Sequence, residues 1–123
     1  DLARAKVRAA ALTIAADVHP VNNLRVVAML KSMGHSQDEA IGWMNDWMTR
    51  GFTAVKQLID PNTPFCFGDT PGLADVCLYA QVWNNRRFAI ATDGWPTIAR
   101  IYTELDKLPA FQKAAPPNQP DAG

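Results

Sequence analysis

The sequence has few residues suited to covalent or metal chemistry, since it contains two cysteines and two histidines among 123 residues. Two cysteines are too few for a disulfide framework, and no histidine is spaced with thiols in the pattern of a tetrahedral metal site. The sequence also lacks an HExxH motif, a CxxC motif and a glycine-rich phosphate loop that follows a strand. We therefore predict no metal site, and we expect no complete set of catalytic groups within this chain.

An excess of charge and long apolar runs are also missing. The twelve basic and twelve acidic residues cancel to a formal net charge of zero, which gives no electrostatic reason to expect binding to nucleic acid or to an anionic membrane. No apolar run approaches the length of a membrane span, and the first residues lack the apolar core of a signal peptide. A cytoplasmic protein with reduced thiols is the expectation.

Apolar residues recur at three- and four-residue spacing through most of the chain, and no long strand-like alternation appears. With 48% apolar residues and a length that suits one domain, this pattern predicts an all-α bundle of about five helices. The central helix is predicted at about 72–88, because residues 73–82 are apolar almost all round, as in a helix that other helices enclose. Gly72 is its expected cap, and Asp75 is expected to accept the free amide hydrogens of its first turn.

The far end of this helix carries one candidate binding residue. Arg87 continues a row that starts at Leu73 and repeats at three- and four-residue spacing, and this row is predicted to face the core. An arginine so placed either pairs with a buried carboxylate, for which Asp17 and Asp75 are the candidates, or lines a cleft. The neighbouring Arg86 is interpreted as solvated or ion-paired.

A second candidate region is a polar segment at residues 19–25. Pro20 lacks an amide donor and disfavours helical backbone at His19, so a kink or break in a long first helix is predicted at this point. Asn22 and Asn23 each lower helix propensity by about a few tenths of a kcal/mol. This cost favours a local hydrogen-bonding role for the two amides, in the structure of the bend or in ligand binding.

The domain organisation is predicted from where the regular spacing stops. Residues 1–115 are expected to form one helical domain, and the proline-rich residues 116–123 are expected to form an extended tail, either frayed or laid against the body. Helical spacing begins with the first residues, as expected if the domain was cut from a longer polypeptide.

Four segments carry a resemblance to a known family, and they lie at residues 19–25, 68–75, 81–88 and 114–121. Together they closely resemble the C-terminal helical domain of the zeta-class glutathione transferases, which include maleylacetoacetate and maleylpyruvate isomerases. The resemblance covers the whole chain. The His-Pro-x-Asn-Asn-Leu-Arg run and the Gln-Pro-Asp ending are specific to the class.

The resemblance implies a homodimeric, glutathione-dependent enzyme that isomerises a conjugated dicarboxylic keto acid from cis to trans. It also implies a preceding thioredoxin-like domain, absent here, that activates the thiol, so the isolated chain is expected to be inactive. By position, Arg25 and Arg87 look like the residues that hold substrate carboxylates, since arginine binds a carboxylate bidentately. His19, Asn22 and Asn23 fall where the family contacts glutathione or braces its site.

Two alternatives to the isomerase stay open. The same scaffold could serve a general glutathione transferase or dehalogenase of small α-halo acids, or a non-catalytic binding or assembly module.

The family usually has Ser or Thr at the position of Gly72, so a lower local stability is expected. Trp83 and Asn85 stand where smaller residues are expected, which leaves the shape of the cleft and the substrate open. Trp83, like the other tryptophans, is interpreted as an anchor of the core or of an interface.

Overall fold

The computed structural model describes residues 1–122 and confirms the predicted all-α fold. The α-helices are α1 (Leu2–Leu12), α2 (His19–Val21), α3 (Leu24–Ser32), α4 (Gln37–Leu58), α5 (Leu73–Arg87), α6 (Pro96–Asp106) and α7 (Pro109–Ala114). A π-helical turn, Thr13–Val18, joins α1 to α2, and a 3₁₀ turn, Pro116–Asn118, follows α7. None of the helices in residues 1–122 is both long enough and apolar enough to span a membrane.

The long helix α4 supplies one side of the core. Its start is fixed by a capping box, in which the Ser36 hydroxyl accepts the Glu39 N–H at 3.2 Å and the Glu39 carboxylate accepts the Ser36 N–H at 2.7 Å. Its buried face consists of Ala40, Met44, Met48, Gly51, Phe52 and Val55. Gly51 lies so close to Val18 that a β-carbon at position 51 would overlap the valine side chain. This contact sets how closely the π-helical turn packs on α4.

The break predicted at Pro20 occurs instead two residues later. Helical backbone continues through Pro20, because the π-helical turn bonds the His19 N–H to the carbonyl of Ile14 and leaves the proline in the first turn of α2. A missing N–H is tolerated in a first turn. The chain then leaves helical geometry at Asn22, with φ −102° and ψ 9°, and becomes extended at Asn23, with ψ 150°.

The central helix α5 is buried on one side only. The buried side consists of Ala74, Asp75, Leu78, Tyr79, Gln81, Val82 and Asn85. On the other side, Leu73 is 56% exposed and Val76 is 55% exposed. The prediction of a helix enclosed all round is therefore wrong, and the row predicted to face the core faces outward. The reason is that α1, the π-helical turn and α6 all pack on the same side of α5.

The predicted extended tail is in part regular. The 3₁₀ turn Pro116–Asn118 folds back towards α7, and the Asn118 side-chain Nδ2 donates to the carbonyl of Gln112 at 2.6 Å. The last carbonyls of a helix have no partner within it, so a side-chain amide can satisfy one of them. Gly123, the end of the predicted tail, lies outside the described residues.

Candidate functional site

The start of α5 is held by the carboxylate of Asp75, which is only 1% exposed. Its Oδ2 accepts the N–H of Gly72 at 2.8 Å, and its Oδ1 accepts the N–H of Cys66 at 2.8 Å. Gly72 has no side chain that could accept the N–H of Asp75, so only one of the two bonds of a capping box is present, the bond from the Gly72 N–H to the Asp75 carboxylate. The interaction ties the preceding loop to the helix and fixes where α5 begins.

Neither cysteine has the properties of a nucleophile. Burial raises the pKa of the Cys66 thiol far above its ordinary value, and the nearby carboxylate of Asp75 raises this pKa further. Burial also raises the pKa of the half-buried Cys77. The thiolate is the reactive form of cysteine, so both side chains stay protonated at neutral pH. In the part of the chain that the structure describes, no three His, Cys, Asp or Glu side chains are grouped as a metal site requires.

An apolar groove of about 560 Å³ runs along the uncovered side of α5. Its walls come from α5, from α7 and the residues after it, and from the first residue of α2. The lining residues are His19, Val76, Tyr79, Ala80, Trp83, Asn84, Ala110, Phe111, Ala114 and Pro116. The exposed apolar side of α5 is therefore one wall of a cavity.

A second cavity, the arginine cleft, has a volume of about 820 Å³. It is lined by Trp83, Arg86, Arg87, Tyr102, Pro116, Pro117 and Ala122. The guanidinium carbon of Arg86 lies 4.1 Å from the centroid of the Tyr102 ring, a cation–π contact. No carboxylate within residues 1–122 forms a salt bridge with either arginine. The cleft therefore presents two positive charges that can bind an anion.

The structure separates the two arginines predicted to bind substrate carboxylates. Arg87 lines the arginine cleft, although its row faces outward, and it does not form the alternative buried pair with Asp17 or Asp75. Arg25 is exposed on α3 and lines neither the apolar groove nor the arginine cleft. Neither cavity therefore contains both arginines.

The three residues predicted to contact glutathione have different environments. His19 is exposed and lines the apolar groove. Asn22 is 3% exposed, its Nδ2 donates to the carbonyl of Met44 at 3.1 Å, and its Oδ1 has no donor within residues 1–122. Asn23 caps α3, because its Oδ1 accepts the N–H of Arg25 at 3.1 Å. Of the three side chains, only that of His19 lines the apolar groove or the arginine cleft, and the two amides lie at the break between α2 and α3.

Trp83 was connected with the shape of the cleft in the sequence but was not named as a candidate binding residue. It is half-buried and lines both the apolar groove and the arginine cleft. The signal was present in the sequence, because residues four apart share a helix face and Trp83 lies four residues before Arg87. The wrong orientation predicted for that face concealed it.

Comparison with known proteins identifies relatives, although no protein-family model matches the chain. Maleylacetoacetate isomerase of Pseudomonas aeruginosa is 42% identical over 120 residues, which cover 98% of this chain and 56% of that protein. A maleylpyruvate isomerase described as a bacterial glutathione transferase of the zeta class is similar in structure, with a TM-score of 0.91 at 36% identity, over 98% of this chain and 58% of that one.

A third relative is maleylacetoacetate isomerase from Anaeromyxobacter dehalogenans, solved with dicarboxyethyl glutathione and citrate in its active site. It matches with a TM-score of 0.90 at 34% identity, over 98% of this chain and 54% of that chain. The chain thus spans about half the length of the curated relatives it matches. The matched half is helical and shares the fold of these enzymes. In sequence and in fold, the chain is similar to the matched part of these isomerases, one of which is described as a zeta-class glutathione transferase.

Proposed function

We propose that the complete protein carrying this chain is a glutathione-dependent cis–trans isomerase of the maleylacetoacetate or maleylpyruvate type. Residues 1–115 would be its C-terminal helical domain, on the substrate side of the active site. The observation that carries the proposal is the arginine cleft, where Arg86 and Arg87 have no carboxylate partner within residues 1–122 and an apolar groove adjoins. The relative solved with citrate and a glutathione derivative supports it.

Arg87 is the proposed carboxylate-binding residue. Its planar guanidinium can donate two parallel hydrogen bonds to one carboxylate, and Arg86, held against the Tyr102 ring, adds a second positive charge to the same cleft. When a thiol adds to the double bond that is conjugated with the keto group, negative charge develops on the keto oxygen. A nearby guanidinium also stabilises this charge. Arg25 stays a predicted second contact to a carboxylate.

Glutathione is the proposed cofactor, and the residues of this chain fit one edge of such a molecule. The side chain of His19 is exposed at the apolar groove, whereas the Oδ1 of Asn22 is buried outside both cavities, so Asn22 would brace the site and not contact the cofactor. Asn23 fits less well, because its oxygen caps α3. When bound, glutathione supplies the thiol whose reversible addition lets the substrate double bond rotate. The chain contributes binding and charge, and its two cysteines stay protonated.

The remaining features of the family are proposed with this function. A thioredoxin-like domain would precede the chain and would cover exposed apolar positions such as Leu73 and Val76. The complete protein would be a cytoplasmic homodimer. The thiol-activating group would lie on the preceding domain. The helical half alone, with its open apolar groove, should therefore be inactive.

The test is an isomerisation assay of the complete gene product that contains residues 1–123, with and without glutathione. The proposal predicts turnover of maleylacetoacetate or maleylpyruvate that requires glutathione. Turnover of small α-halo acids alone would instead support the dehalogenase. A complete gene product without a thioredoxin-like domain and without either activity would overturn the proposal in favour of a binding module.

A further inference from the structure

Trp83 forms a wall between the two cavities of the site. It and Pro116 are the residues that line both the apolar groove and the arginine cleft. The tryptophan belongs to α5 and the proline to the 3₁₀ turn after α7, so the wall is built from two separate elements. The Asn118 side chain holds this 3₁₀ turn against α7 through the Gln112 carbonyl, at 2.6 Å. The indole therefore forms part of the boundary between the two cavities.

The chemistry on the two sides of this wall is different. The arginine cleft has the guanidinium groups of Arg86 and Arg87, whereas the groove is lined mainly by apolar side chains such as Val76 and Phe111. A small molecule with one carboxylate at Arg87 and the rest of its carbon chain in the groove must pass the indole. Because Trp83 is one helical turn from Arg87, the two side chains lie on the same side of α5, and both line the arginine cleft.

We propose that Trp83 is a specificity-determining residue, which limits the length of the chain that links the carboxylate at Arg87 to the rest of the substrate. The inference rests on the proposed function and deepens it. The preferred ligands are short dicarboxylic keto acids, and a smaller residue at position 83 joins the groove to the cleft and admits longer ones. Trp83 takes no part in the chemical step, so its effect is on the ratio between substrates.

The experiment compares kcat/KM of the complete gene product for maleylpyruvate and for maleylacetoacetate, which is longer by one methylene. One methylene in a pocket changes specificity by about 10-fold or more. Trp83→Ala is expected to shift the ratio about 10-fold towards the longer substrate, and Trp83→Phe, which keeps an aromatic wall, about threefold or less. Trp43→Ala is the matched control, because that tryptophan is outside both cavities.

A second measurement separates this inference from the proposed function. Calorimetric titration of the same variants with malonate, succinate, glutarate and adipate measures the length preference without turnover. A shift towards the longer diacids in Trp83→Ala supports the inference even if the wild-type protein isomerises neither keto acid, a result that would refute the proposed function alone. An unchanged preference in a folded Trp83→Ala overturns the inference. If that variant loses its helical circular dichroism, Trp83→Leu is judged by the same criterion.

Discussion

The carboxylate oxygen Oδ1 of Asp75 and the backbone nitrogen of Cys66 lie 2.8 Å apart, although the two residues are nine positions apart in the chain. The second carboxylate oxygen accepts the N–H of Gly72. One buried side chain therefore satisfies a loop amide and a helix-start amide together. The start of α5 is fixed by this pair of bonds, and Arg87 lies at the opposite end of the same helix.

Replacing Asp75 by alanine should lower the free energy of unfolding by about 2–4 kcal/mol. Two backbone N–H groups lose their acceptor, and an unpaired buried donor costs about 1–3 kcal/mol. Urea denaturation followed by circular dichroism measures the change. Asp69→Ala is the control, since that residue is exposed, and it should change stability by about 0.5 kcal/mol or less. A loss below about 1 kcal/mol in Asp75→Ala would contradict the anchoring role.

Cys66 should make the protein less stable at alkaline pH. Burial raises the pKa of this thiol in the folded state, whereas in the unfolded chain the thiol ionises near its ordinary pKa of about 8.5. As the pH rises above that value, the unfolded state loses the proton and gains stability relative to the folded state. The free energy of unfolding should then fall by about 1.4 kcal/mol per pH unit for this group.

The measurement is urea denaturation of the wild type and of Cys66→Ala at several values between about pH 7 and 10, a range that brackets the ordinary thiol pKa. The alanine variant is less stable at neutral pH because it leaves a small cavity, but it lacks the thiol, so its stability should depend less on pH. The prediction concerns the difference between the slopes. Parallel curves for the two proteins would show that the thiol makes no such contribution.

Two buried side-chain amides on α5 should contribute to stability as a pair, so that the effects of replacing them on the free energy of unfolding do not add. Gln81 and Asn85 are both fully buried, and Gln81 Nε2 donates to Asn85 Oδ1 at 2.9 Å. Asn85→Leu leaves the Gln81 amide without its partner and should cost about 1–3 kcal/mol. Gln81→Leu combined with Asn85→Leu removes both amides and should cost less than the two single changes added together. Costs that simply add in urea denaturation would exclude coupling between the two amides.

The elements of the fold could be predicted from the sequence because they depend on local signals. Helical spacing indicates an all-α chain, and an acidic residue in the first turn after a glycine marks where α5 begins. The break predicted at Pro20 occurs two residues later, because the π-helical turn upstream leaves the proline in the first turn of α2, where a missing N–H is tolerated. This π-helical turn has no local signal in the sequence. Two asparagines that do mark the true break were interpreted partly as ligand contacts.

The site could be predicted only in part, because periodicity finds the apolar face of a helix and does not reveal whether another element covers it. Apolar residues occur on both sides of α5, and the packing of α1 and α6 decides which side is buried. Of the two alternatives left open for Arg87, a buried ion pair or a position in a cleft, the structure has the second, and its role in substrate binding stays a prediction. Trp83 was interpreted mainly as an anchor of the core or of an interface. The 3₁₀ turn after α7 completes both cavities. Its position depends on long-range contacts, which the spacing of apolar residues in the sequence does not show.

The two predicted carboxylate contacts are distinguished by their surroundings. Arg87 lines the cleft, and Arg25 lies outside it and outside the apolar groove. The guanidinium carbon of Arg86 lies 4.1 Å from the centroid of the Tyr102 ring, whereas that of Arg87 lies 5.7 Å from the centroid of the Phe88 ring, so Arg86 is held more closely and should bind more weakly. Among Arg25→Ala, Arg86→Ala and Arg87→Ala, we therefore expect Arg87→Ala to cause the largest loss of kcat/KM.

The most direct measurement is kcat/KM of the complete gene product for isomerisation in the presence of glutathione, in wild type and in Arg87→Ala. Arg50→Ala, at an exposed arginine of α4, serves as the control. A carboxylate contact at Arg87 predicts a loss of more than about 10-fold, equivalent to about 1.4 kcal/mol of transition-state stabilisation, with the control unchanged. A folded Arg87→Ala protein that loses less than about threefold would contradict the role of the arginine cleft in the proposed function.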